Sequence, residues 1–291
     1  MVKQLIGRGV LSGAVAGLLA FLFSRIFAEP VISDAIDYES AREAAQTALD
    51  KAAGLPIASG GDEVFTRTMQ MDVGLGAALI LLGAALGALV AVGYVVAIGR
   101  VGKVRAFSLA LLVPLFYFVG SFMVPFLKYP ANPPAVGHED TIRDRGALYL
   151  VTVAASCILL FLAVYLGQKL HKRLSLYRSV VIAALAYGAA ITILFLLLPS
   201  FGDLHANVVE YGHQATETPL PLKDAQGTIV FPGFPADLLA QFRLHSIINQ
   251  VILWGGIALL FAPQAQRLLD PQGAQAAQDA RLVEDHESVA V

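Results

Sequence analysis

The chain has 291 residues, of which 57% are hydrophobic and only 14% charged, and its formal net charge is -2. Soluble domains carry about a quarter charged residues, so this composition excludes an ordinary soluble fold and points to an integral membrane protein. The near-neutral charge, with no basic cluster denser than Lys169 to Arg173, argues against a nucleic-acid partner, and the single cysteine, Cys157, excludes an internal disulfide.

Six apolar runs reach the roughly 20 residues that a helix needs to cross a bilayer. They lie near Leu5 to Phe27, Val73 to Ile98, Phe107 to Leu127, Ala147 to Gln168, Ser179 to Leu198 and Leu244 to Ala262. The expected fold is all-α: a polytopic transmembrane helix bundle over residues 1–263, with no domain boundary inside it. Outer loops are expected at 28–72, 128–146 and 199–243, and a disordered cytoplasmic tail at 264–291.

Lys3 and Arg8 precede an apolar stretch that ends at Ile26-Phe27-Ala28, which imitates a secretory signal with its cleavage site. Its length and its Gly9, Gly13 and Gly17 fit a resident span instead, because a small-xxx-small ridge lets helices approach closely. Gly83 and Gly87 repeat the device in the second run. Between these runs, Tyr38 to Ala53 reads as an external helix, broken by Gly54, Pro56, Gly60 and Gly61.

Positive residues in short loops stay in the cytoplasm, and two connections are basic without any acid: Arg100, Lys103 and Arg105, then Lys169, Lys172, Arg173 and Arg178. The other three connections hold the acids. Both termini are therefore expected in the cytoplasm of a bacterial inner (plasma) membrane protein whose immediate partner is the lipid bilayer.

The third run contains Pro114 and Pro125, which deprive the carbonyls of Ala110 and Ser121 of their helical donors; these carbonyls are candidate ligands for a passing cation, against the plainer reading of an ordinary proline kink. It ends in FLKYPANPPAVG, Phe126 to Gly137. Pro130, Pro133 and Pro134 forbid a helix here and favour a stiff extended strap. Lys128 and Tyr129 are expected in an interfacial belt with their polar tips in water. Lys128, Tyr129, Pro130, Asn132, Pro133 and Pro134 are thus candidates for a gate or substrate-lining segment, against the plainer reading of an interfacial turn.

Before the last run, FPADLLAQFR predicts a short helix leading into the sixth span. That span then opens FRLHSIINQ, which sets Arg243, Ser246 and Gln250 on one helical face, with His245 and Asn249 on the adjoining one. Polar groups at membrane depth should face the bundle interior, so Arg243, Ser246, Asn249 and Gln250 are candidates for a substrate path or gate, against the plainer reading that they pair with one another. Arg243 lies near the outer end, where it could snorkel or hold Asp140 or Asp144. No Asp, Glu or Lys lies at mid-span, so no proton relay or buried ion pair is written there.

Imidazole with carboxylate suits borderline divalent ions such as cobalt, nickel or zinc. Candidate metal-binding residues are Glu29, Glu39, His138, Asp140 and His245, although no CxxC, HExxH or HxxxH spacing occurs. Phosphate-loop and nucleophile-elbow patterns are absent as well, so an enzyme is the weakest reading and no cofactor is expected.

Three stretches, AFLFSRIFAEPVISDAIDYE, VPFLKYPANPPAVG followed by DTIRDRGALYL, and FPADLLAQFRLHSIINQVILW, resemble the CbtA family of predicted cobalt transporter subunits. The resemblance implies that the transported substrate is cobalt, destined for cobalamin synthesis, and that a small membrane subunit, CbtB, is a partner. By position it singles out Glu29, Pro30, Tyr38 and Glu39, the strap residues with Asp140 and Arg145, and Arg243, Ser246 and Gln250. Many family members carry a histidine-rich first outer loop, whereas no histidine lies between Glu29 and Asp72 here. The expected function is a permease subunit for uptake of cobalt or a similar divalent cation. The alternative is a non-transporting assembly or scaffold subunit.

Overall fold

Apolar segments fold as helices because lipid offers the backbone no hydrogen-bond partners and only a helix satisfies its own. The computed structural model describes residues 1–56, 66–102, 104–214 and 216–269. Gly60 and Gly61 among the expected helix breakers, Lys103 among the basic residues, and the tail from residue 270 lie outside the described residues. The helices are α1 (Val2–Ala52), α2 (Arg67–Ala97), α3 (Ala106–Lys128), α4 (Ile142–His171), α5 (Leu176–Leu197), the short α6 (His205–Tyr211) and α7 (Ala236–Leu269). All but α6 are long and apolar enough to cross a membrane, six in all among the described residues. A small antiparallel hairpin, β1 (Leu222–Lys223) with β2 (Ile229–Phe231), is turned by Asp224, whose Oδ1 accepts from the backbone N–H groups of Gln226 and Thr228.

Three expectations about helix ends are corrected. The helix that carries the first span does not stop near Phe27 but continues unbroken to Ala52, taking in the expected external helix, through a π turn at Ser24–Ala28 in which the Glu29 N–H donates to Ser24 O. The wider turn sits just ahead of Pro30, whose missing N–H would otherwise interrupt an α-helix. Another π turn, Phe118–Met123, stands in the same relation to Pro125, so Phe126 to Lys128 finish α3 as helix and the strap begins only at Tyr129. Likewise α7 runs from Ala236 without a separate leading helix, and it passes Pro263 to Leu269.

The chain also divides into two compact units, where the sequence shows no boundary. The first comprises Met1–Phe21, Gly76–Phe118 and α7 from Gln250 onward. In it, Gly9 and Gly13 of α1 meet Gly87 and Gly83 of α2 backbone to backbone: a Cβ on Gly13 would lie 1.9 Å from Gly83 O, and one on Gly87 2.1 Å from Gly9 O. The core beside this seam holds Leu5, Val90, Tyr94, Leu253, Ile257 and Phe261, with the Tyr94 and Phe261 rings edge to face at 5.4 Å. Gln264 donates to Ser12 Oγ at 3.0 Å, and Arg8 donates to Gln264 O at 2.8 Å. Those bonds, and the burial of Ala265, keep helical a stretch whose polarity suggested disorder.

The second unit comprises Leu22–Leu75 and Val119–Asn249. Here α4 and α5 pack on each other, joined by a Ser156–Tyr187 hydrogen bond of 2.9 Å, and leave Leu150, Ile158, Phe161, Leu185 and Leu196 on the outside. Such rows suit lipid. A separate apolar cluster of Ala35, Tyr38, Val136 and Phe234 binds the far part of α1 to the strap and to the segment before α7.

Candidate functional site

The strap from Tyr129 to Gly137 is fixed residue by residue. Tyr129 is buried rather than belted at an interface, because its hydroxyl donates to Pro199 O at 2.8 Å and its ring stacks on Phe201 at 4.4 Å. Burial also pushes its phenol above the ordinary tyrosine range. Lys128 donates to Phe195 O at 2.9 Å, closing a carbonyl at the end of α5. Pro130 lines the cavity described below and Pro133 is buried. Pro134 then leads into a tight turn in which Val136 N–H donates to Pro133 O at 3.2 Å, with Ala135 at φ 68° where glycine is usual. Val136 anchors the turn in the apolar cluster around Tyr38, whose hydroxyl donates to Pro232 O at 2.9 Å.

Arg243 of α7 holds the strap itself and neither Asp140 nor Asp144. Its Nε donates to Ala131 O at 3.3 Å and its Nη2 to Asn132 Oδ1 at 3.1 Å. A fixed guanidinium repels a dication, so this residue braces the strap rather than binding a metal. Ser246 turns inward on its own helix and donates to Phe242 O at 2.8 Å. Gln250, in the first unit, accepts from Trp254 Nε1 at 3.1 Å. Asn249 donates to Ser24 Oγ, tying α7 to the π turn of α1.

Beside the strap lies a cavity of about 610 Å³, lined by Phe122, Phe126, Tyr129, Asn132, Arg145 and Tyr149 among others. The carbonyl of Ser121, freed by Pro125, faces the Tyr149 hydroxyl at 3.5 Å, so it is not left open to a cation.

Sequence reasoning missed the group that secures the loop following α5. Glu217 is fully buried: its Oε1 lies 2.6 Å from both the Thr141 hydroxyl and Asn207 Nδ2. Its Oε2 lies 3.3 Å from Arg145 Nε, an ion pair short of hydrogen-bond geometry. Arg145 also donates to His138 O at 3.2 Å. Glu217 sits in QATETPL, where nothing local marks it; only the meeting of α4, α6 and this loop does.

The candidate metal residues do not converge, and the described residues contain no group of three or more His, Cys, Asp or Glu able to hold a metal ion. Glu29 is buried in an ion pair with Arg67 at 2.6 Å, and Asp72 pairs with Arg25 at 2.5 Å. Glu39 and Asp140 are exposed. His138 has both ring nitrogens engaged: Nδ1 accepts from Asp140 N–H at 3.1 Å and Nε2 lies 2.8 Å from Glu210 Oε2 as an ion pair. Next to it, burial and then the Glu210 carboxylate push the Tyr211 phenol up to about 12, which keeps it neutral at any physiological pH. His245 differs, since its Nδ1 is buried without a hydrogen-bond partner.

Searches of curated proteins and of solved structures find no match. A family model does match: that of the probable cobalt transporter subunit (CbtA), over residues 2–266. The match runs from the first span through the strap to the last, and the chain belongs to the CbtA family of probable cobalt transporter subunits.

Proposed function

We propose that this protein is the permease subunit for uptake of cobalt, or a similar divalent cation, across a bacterial inner membrane, and that the metal supplies cobalamin synthesis. The observation that carries the reading is the family match across all six candidate spans. The basic turns, with Arg100 and Arg105 before α3 and Lys172 and Arg173 before α5, stay in the cytoplasm together with both termini. The strap and the exposed carboxylates Glu39, Asp140 and Asp144 then face outward, where an acidic surface raises the local concentration of cations. A negative-inside potential contributes about 4 to 5 kcal/mol per 100 mV for a divalent ion, enough to draw it inward without a nucleotide site. A small CbtB-like membrane subunit is the proposed partner.

Cobalt accumulation in cells with and without the gene tests this reading. Uptake should fall on deletion and return with the intact gene; equal accumulation in the two strains removes it. The rival role, a non-transporting assembly subunit, predicts unchanged uptake together with co-purification of an enzyme complex.

A further inference from the structure

Within the second unit, α7 meets α1 at two adjacent points that share one chemistry. The His245 ring stands edge to face against Phe23 at 5.9 Å between centroids. One turn further along α7, Asn249 bonds the hydroxyl of Ser24, the residue after Phe23. Residues four apart lie on one face of a helix, so His245 and Asn249 bring an imidazole and an amide together against Phe23 and Ser24, where the π turn begins. Single π turns inside α-helices recur at functional sites because they re-aim the side chains around them.

Leaving a buried polar atom unpaired costs about 1 to 3 kcal/mol. Among these residues the cost falls on His245 Nδ1. His138 shows what a structural histidine looks like in this chain, with both nitrogens paired. The carboxylates near the turn, Glu29 and Asp72, are already held by Arg67 and Arg25. The polar groups gathered around Phe23 are therefore neutral: the His245 imidazole, the Ser24 hydroxyl and the Asn249 amide.

We propose that His245, with Ser24 and Asn249, forms a coordination point for a borderline divalent cation, with His245 Nδ1 as its nitrogen ligand. Imidazole selects cobalt, nickel and zinc over magnesium and calcium, whereas neutral oxygen donors hold the ion weakly enough to release it. No carboxylate is needed, and a transient site is better without one. This inference rests on the permease reading and adds the place where the ion is desolvated.

Cobalt titration of the full-length purified protein in detergent, followed by visible d–d absorption, tests it. The intact protein should develop the bands of nitrogen-ligated Co²⁺, and His245→Ala should weaken binding at least tenfold with an unchanged thermal unfolding temperature. His245→Gln, which keeps a polar side chain of similar length, should weaken it equally and guards against a folding defect. Asn249→Ala should cost about threefold to tenfold, and His213→Ala, altering an exposed histidine, should change nothing. Full-strength binding in both His245 variants, or no binding by the intact protein, overturns the site. Uptake separates the two ideas: if cells accumulate cobalt through the intact protein and through His245→Ala alike, the site fails while the permease reading stands.

Discussion

The glycine seam and the proline strap answer one difficulty by opposite means. Lipid tails are as apolar as leucine, so no hydrophobic drive pulls one membrane helix onto another. Between α1 and α2 the answer is subtraction: Gly9, Gly13, Gly83 and Gly87 remove side chains until carbonyls and α-carbons touch. Around the strap the answer is addition, since Tyr129, Arg243, Lys128 and Thr141 each carry a donor to a backbone or carboxylate oxygen. The seam therefore tolerates no added atom, and the strap region tolerates no lost donor.

The sharpest way to break that contrast is Gly13→Leu. Its Cβ alone would lie 1.9 Å from Gly83 O, a backbone atom that no rotamer change can move, so no folded protein should be recovered from detergent extracts. Gly7→Ala, with nothing within 4 Å, should behave as the parent. Equal recovery of the two variants would show that the seam is not there.

Next comes Glu217→Ala, which strands Arg145 and removes the acceptor of Thr141 and Asn207. Breaking a buried pair on one side costs about 3 to 5 kcal/mol, to be read as a fall in unfolding temperature. A neutral result would mean that this loop is held by something other than its carboxylate.

Arg243→Ala should cost less, about 1.5 to 3 kcal/mol for charge-assisted bonds to Ala131 O and Asn132. Its signature is local: faster amide exchange within Tyr129 to Gly137 while α1 and α2 stay protected. Uniform loosening instead would deny Arg243 its bracing role. Smallest and opposite in sign, Ala135→Gly should stabilise by about 1 kcal/mol, because φ 68° strains alanine and suits glycine. Chemical denaturation of the two forms in the same detergent would detect a shift of either sign.

Much of this was legible from the residues. Six apolar runs become helices because lipid leaves the backbone no alternative, and the Gly9/Gly13 and Gly83/Gly87 ridges find each other because small residues permit contact that larger ones forbid. Helix ends were misread where two local rules competed. Pro30 and Pro125 signal a break, yet a π turn before each absorbs the missing donor. The polar 264–269 stretch stays helical because Gln264 finds Ser12 across the unit. For the candidate site, the strap was visible in its prolines, whereas its partners were not, since Pro199, Phe201 and Arg243 lie 70 or more residues away in the chain. Glu217 was invisible for the same reason.

Composition, apolar run length and proline placement by themselves determined a six-helix membrane protein with one non-helical strap, because those are consequences of solvent and backbone chemistry that act locally. Which polar groups ended paired was decided only by the tertiary structure. A hydrogen bond depends on where two distant side chains are brought, and so the engaged nitrogens of His138 and the unpaired Nδ1 of His245 look alike in the sequence.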